Sequence, residues 1–349
     1  MADLERIVHY ANEHESHWSR QIDGTFGAHQ KEQPPWNKLL GPIHDRGPAT
    51  GVILHKGKKL IDWGTPDRAD LTYSVVKTYL ALVAGVAWDK GLITDIDSRV
   101  GSQLPGIGFD SDHNHTITWR QLLQQTSEWE GTLWGIPDQV DRNSTATYGR
   151  PASGPKGAAR PLQEPGSYWE YNDIRVNQLA YALLMLFKQP LPEVFFQYIM
   201  TPLQASDNWQ WVGYENSWVT IDGKRMQSVT GGTHWGGGMS ISANDQALIG
   251  KMMLNDGKAG DTVVLSSKWI EQMITPCAIA PFYGYMVWLN TEQKIFDSLS
   301  ESAVIAVGAG SSLVCLDREY DLIVVIRWIE ANAANGLLKK VIQAINDLA

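Results

Sequence analysis

The chain has 349 residues, longer than a single hydrophobic core usually organises, so two lobes or one large domain with a subdomain are expected. Its 43% apolar and 19% charged content is that of an ordinary globular chain. A net charge of −9 argues against nucleic acid and against anionic membrane surfaces as partners.

Residues 3–20 read as an amphipathic helix with Leu4, Ile7, Val8 and Ala11 on one face. The opening Met1-Ala2-Asp3-Leu4-Glu5-Arg6 lacks the apolar core of a signal peptide. No stretch approaches the ~18 apolar residues of a membrane span, so the cytoplasm is the expected compartment. Residues 23–48 are polar and loop-like. Val52 to Trp63 holds two β-rich runs around Lys56-Gly57-Lys58, which predicts a hairpin. Next come Val76, Tyr79, Leu80, Val83, Val86 and Ala87 at three- and four-residue steps, with no charge on the other side until Asp89 and Lys90. That pattern predicts a helix buried all round, ending at Gly91.

From about residue 95 to 205 the patterns are mostly helical. Thr118 is a helix N-cap, residues 143–165 form a Gly/Pro/Ser-rich loop, and 173–188 is a strong helix. β signals return at 209–212, 217–221, 284–290, 303–307, 312–316 and 322–328. Ser242 caps a helix to Leu254, and a helix over 335–348 closes the chain. Strands at both ends and helices between them imply an α/β (α+β) fold. One lobe comprises 1–94 and 206–349, a mainly helical lobe comprises 95–205, and a cleft between them is the default site. Cys277 and Cys315 each sit in apolar settings and read as buried thiols. Neither they nor the nine scattered histidines have metal-ligand spacing, and no cofactor is implied.

The stretch that organises the rest is Ser74-Val75-Val76-Lys77. Its spacing puts a hydroxyl and an amine on one helical face, one turn apart. Asp70 or Thr72 would cap that helix, and unpaired N–H groups at its start suit a serine nucleophile and its oxyanion. The bland alternative is a polar residue at a helix start and a lysine that snorkels outward. A lysine in the first turn of an apolar helix, however, has few routes to water. The same pattern recurs at Ser153-Gly154-Pro155-Lys156, where Gly and Pro preclude the helix, so that copy reads as accidental. There are 15 Trp against 7 Phe. Those near polar or Gly-rich segments, Trp129, Trp134, Trp169 and Trp235, suit cleft walls, although core packing serves most tryptophans equally well.

A serine and lysine so placed need a third group, and Pro165 to Asp173 supplies Tyr171. Here the chain resembles the serine β-lactamase and penicillin-binding-protein superfamily, most closely its class C β-lactamase, carboxylesterase and 6-aminohexanoate-dimer hydrolase branch. The resemblance runs from about Val52 to Trp328. Its pieces follow the family's order: Ser74 to Lys77, Lys90 to Pro105, Thr118 to Ser127, Pro165 to Asp173, Thr233 to Met239, and Gly308 to Asp317 with the strand beyond. It implies a β-lactamase/transpeptidase-like fold, with an antiparallel sheet flanked by helices. It implies that Ser74 is acylated, that Lys77 and Tyr171 share the proton transfers, and that the N–H groups of Ser74 and Ala309 hold the oxyanion.

Three departures qualify it. The tyrosine motif ends in Asp173 in place of asparagine, and this carboxylate either points at Lys77, favouring Tyr171 as base, or caps the following helix. The Lys-Thr-Gly position reads Ala306-Val307-Gly308, so the cation that meets a substrate carboxylate is absent. No match exists for the deacylating glutamate of class A enzymes; Glu164 lacks the surrounding motif. Beyond the core set, Asp173, His234, Trp235, Trp134 and Gly308 are expected to face substrate, His234 by donating to a substrate oxygen or, alternatively, bonding backbone within its turn. The expected function is a serine hydrolase of small esters or amides. An acyltransferase and a catalytically silent binding domain are the competing readings. The sequence leaves the oligomeric state open.

Overall fold

The computed structural model describes residues 2–23, 26–144 and 154–347. It is a mixed α/β fold built on an antiparallel sheet of six strands. In spatial order these are Trp288–Leu289, Val304–Gly308, Ser312–Asp317, Leu322–Arg327, Thr50–His55 and Lys58–Trp63. The N-terminal hairpin therefore joins the C-terminal strands edge to edge, with Val52 opposite Val325 and Ile53 opposite Val324. Lys56 and Gly57 turn the hairpin with φ of 50° and 70°, a turn that glycine makes cheap.

The pleat sorts the sheet into two cores. Val52, Val314, Leu316, Ile323 and Val325 face the large core with the Val76–Asp89 and Ala243–Leu254 helices. Their alternates Ile53, Leu313, Cys315, Val324 and Ile326 face Ile7, Ala11, Leu337 and Val341 of the terminal helices Ala2–Glu13 and Ala334–Asn346. Residues Val76 to Ala87 are all buried, including Lys77. Both cysteines are free and buried. Among the described residues no single helix is long and apolar enough to cross a membrane.

Several local expectations are corrected. The first helix ends at Glu13 because the next residues pair elsewhere: the Ser16 N–H bonds the Trp328 carbonyl at 2.8 Å and the Glu330 N–H bonds the His14 carbonyl at 2.8 Å. The strand expected over 284–290 shrinks to Trp288–Leu289. Its earlier N–H groups are taken by helical neighbours, Tyr285 by the Met273 carbonyl and Met286 by that of Leu123. Trp218–Ile221 forms a hairpin with an unforeseen strand, Lys224–Gln227, across an Asp222-Gly223 turn. Of the loop expected over 143–165, residues 145–153 lie outside the described residues, and Ser153 with them.

Candidate active site

Ser74 occupies a 3-10 turn, Tyr73–Val75, that runs directly into the Val76–Asp89 helix. Neither expected cap forms. Asp70 spends its carboxylate on the Gly47 N–H at 3.0 Å, the Arg68 guanidinium at 3.2 Å and the Trp328 indole N–H at 3.0 Å. Thr72 reaches only the Tyr73 carbonyl, at 3.4 Å. Tyr73 has φ of 50°, a region bulky residues rarely enter. Edge-on packing of its ring against Trp18 and Trp328 holds it there. The residue before Ser74 is thus strained, and the packing around it maintains the strain.

Lys77 is 1% exposed. Its ammonium donates to Ser74 Oγ at 2.8 Å, pairs with Asp173 Oδ1, and lies 4.8 Å from the centre of the Tyr171 ring. Tyr171 in turn stacks on Trp288 at 5.7 Å. The helix after the tyrosine is capped by Asn172, whose side chain accepts from the N–H groups of Ile174 and Arg175. That leaves the Asp173 carboxylate free to point at Lys77 rather than to cap its own helix. Burial acts to raise the Asp173 carboxyl, but Lys77, His234 and Lys156 outweigh it and hold it below the usual carboxylate range.

The strand Val304–Gly308 arrives at the serine as glycine. A Cβ on Gly308 would stand 2.2 Å from the Thr72 carbonyl oxygen and 3.0 Å from the Ser74 nitrogen. Only a bare α-carbon fits there, so the strand end closes on the serine turn. Ala309 follows and packs with Phe26, Leu71, Tyr73 and Trp328. Ala306, where the related enzymes carry a cation, is buried in the large core.

The remaining expected residues scatter. The His234 ring is fixed between carboxylates, with Nε2 2.6 Å from Glu32 Oε1 and Nδ1 3.5 Å from Asp173 Oδ2. Trp235 is 1% exposed and donates its indole N–H to the Trp36 carbonyl, so it anchors the N-terminal segment instead of walling a cleft. Trp134 packs edge-on against Tyr181. Tyr181 lies eight residues along the helix from Asp173, roughly 12 Å away at helical rise, so Trp134 belongs to a different neighbourhood. Trp169 is core, edge-on to Phe282, Tyr283 and Trp288.

Several residues escaped sequence reasoning. Gly232 is one: a Cβ there would lie 3.0 Å from Lys77 Nζ and 3.6 Å from Ser74 Oγ, so its α-carbon lies against the Ser74–Lys77 pair. Lys156, the lysine of the apparently accidental second motif, pairs with Glu32 and lies 3.0 Å from Asp141 Oδ1. Burial opposes its charge, but Asp141 and Glu32 hold it above the ordinary lysine value. Behind the tyrosine loop, Glu128 is fully buried between Arg160 and Arg175, at 2.6 and 2.7 Å. Arg160 also grips Glu170, the residue before Tyr171, at 2.7 Å. Despite burial, Arg160 and Arg175 bring the Glu128 carboxyl down to about 2. No spacing rule joins these residues. Among the described residues no three His, Cys, Asp or Glu side chains come together as metal ligands would.

With this geometry in place, the chain belongs to the β-lactamase family, whose model matches residues 49–328. Solved structures share the fold at low identity. A candidate 6-aminohexanoate-dimer hydrolase from Bacillus anthracis superposes with a TM-score of 0.62 at 14% identity, over 86% of this chain and 79% of that one. A family VIII carboxylesterase gives 0.59 at 16%, over 86% and 92%. A D-stereospecific amidohydrolase from Streptomyces sp. gives 0.55 at 19%, over 85% and 92%. No curated protein sequence gives a significant match.

Proposed function

We infer that this chain is a serine hydrolase that cleaves a small, neutral ester or amide through an acyl-enzyme on Ser74. The observation that carries this reading is the buried Lys77 ammonium, 2.8 Å from Ser74 Oγ and paired with Asp173. A lysine with a carboxylate beside it keeps its proton, which makes it a poor base. The Tyr171 phenolate, beside that cation, then takes the Ser74 proton as Oγ attacks the carbonyl carbon. The N–H groups of Ser74 and Ala309 receive the developing oxyanion, a contribution of about 3 kcal/mol per donor in comparable sites. Tyr171 returns the proton to the departing alcohol or amine, and water repeats the sequence on the acyl-enzyme.

A neutral substrate follows from charge. Ala306 stands where a carboxylate-binding cation would be, and Lys77 and Lys156 already have carboxylate partners. Fold relatives named for ester and for amide cleavage both accord with this reading, because the two reactions need the same three side chains. Acyl transfer to an alcohol or amine would use the same intermediate, with that nucleophile replacing water.

The test is intact mass after brief exposure to p-nitrophenyl acetate, with Ser74→Ala alongside. An acetyl adduct that forms and decays in the parent protein and is missing in the variant is expected. A folded parent protein that neither gains mass nor releases nitrophenol would refute the reading.

A further inference from the structure

Asp173 does not meet Lys77 alone; it is one member of a closed ring of charges drawn from five chain segments. Lys77 pairs with Asp173 Oδ1, and His234 Nδ1 lies 3.5 Å from Asp173 Oδ2. His234 Nε2 lies 2.6 Å from Glu32 Oε1, which also pairs with Lys156. Lys156 Nζ lies 3.0 Å from Asp141 Oδ1, and Asp141 Oδ2 accepts the Asp173 backbone N–H at 2.6 Å. The Glu32 side chain is 8% exposed and that of Asp141 is 3%. His29 also neighbours His234 and is pushed down by burial and by the His234 charge. Burial also opposes ionisation of Glu32, but His234 and Lys156 hold it below the usual carboxylate range.

Glu32 lies ahead of the stretch the family model covers, residues 49–328. It reaches Asp173 by two arms of the ring, directly through His234 and, more remotely, through Lys156 and Asp141 to the Asp173 backbone N–H. An imidazole between two carboxylates donates to both only as the imidazolium; the neutral ring turns a lone pair toward one of them. A neutral ring donates to only one of Glu32 and Asp173, and the contact without a donor is no longer held.

We propose that Glu32 and His234 are positioning residues that act on Lys77 through Asp173, making the N-terminal segment ahead of the family core a working part of the active site. In its kinetic form this rests on the Ser74 reading. Glu32 holds the His234 ring at Nε2, His234 holds Asp173 through Nδ1, and Asp173 stands against the Lys77 ammonium beside Tyr171.

The experiment measures the pH profile of Ser74 acylation by p-nitrophenyl acetate in the parent protein, Glu32→Gln, Glu32→Asp, Asp173→Asn and the Glu32→Gln/Asp173→Asn double variant. Glu32→Gln is expected to slow acylation on the order of tenfold on the alkaline side and to move that limb of the profile to lower pH. Glu32→Asp, which retains the charge, keeps most of the parent rate. In the Asp173→Asn background the glutamine substitution changes the rate less than about twofold, because its route to Lys77 is already cut. An equal slowing with and without Asp173, or a slowing at every pH with an unmoved limb, overturns the proposal and leaves Glu32 a packing residue. If the parent protein is not acylated at all, the Ser74 reading fails separately. The ring is then judged by urea unfolding of the same variants. There a coupling of about tenfold in the folding constant supports it and additive effects overturn it.

Discussion

Replacing Asp173 by asparagine removes the counter-ion of a lysine that is 1% exposed while leaving the side-chain shape almost unchanged. Removing one partner of a buried ion pair costs about 3–5 kcal/mol. A ceiling follows from the alternative open to Lys77: a free lysine gives up its proton at neutral pH for about 5 kcal/mol. The asparagine oxygen still accepts a hydrogen bond, so a loss near 3 kcal/mol is expected at neutral pH. The pH dependence has a definite sign. Asp173 is held below the usual carboxylate range in the fold. Its contribution is therefore present above the unfolded-state value of ~3.9 and lost as pH falls through the folded value. Urea unfolding of parent and variant at neutral and acid pH measures both quantities, with the gap widest at neutral pH and closing in acid. A neutral-pH difference below about 0.5 kcal/mol, or one that widens in acid, refutes the reasoning.

Further expectations concern the walls and supports of the site. Gly308→Ala places a methyl 2.2 Å from the Thr72 carbonyl and forces the strand off the serine turn. A shift of about 1 Å should reduce ester turnover on the order of a hundredfold, and unchanged turnover would remove Gly308 from the site. Gly232→Ala brings a methyl to 3.0 Å from Lys77 Nζ at a backbone angle alanine tolerates; roughly tenfold slower acylation in a folded protein is expected, read by the rate of mass gain. Arg160→Met leaves the buried Glu128 and Glu170 to Arg175, with an expected loss of about 2 kcal/mol in urea unfolding. The Glu128 carboxyl, brought down to about 2, contributes stability above ~4.3 that is lost as pH falls toward its folded value. The parent's acid unfolding should therefore become shallower in Arg160→Met, and a variant that matches the parent at neutral and acid pH would show the pair to be inert.

The elements that position the candidate site were legible because their signals are local. The Val76–Asp89 helix declares itself by apolar spacing, the hairpin by Lys56-Gly57, and Ser74 and Lys77 by lying one turn apart. The Lys224–Gln227 strand carries a local signal too, its Asp222-Gly223 turn. Local reasoning failed where a distant partner competed. Trp328 and Glu330 end the first helix by bonding Ser16 and His14. Asn172 takes the cap that Asp173 could have filled. Trp235, expected at a cleft wall, anchors the N-terminal segment through Trp36.

By itself, then, the sequence determined most of the elements, the buried helix that begins at Ser74 and Lys77, and the absence of a cation at Ala306, since each is a matter of spacing or identity along the chain. Only the tertiary structure decided where Asp173 points, and that Glu32, Asp141, Lys156 and His234 share its charge. A buried ion needs a partner within a few ångströms, whatever its distance along the chain, and that condition is met only after the segments have packed.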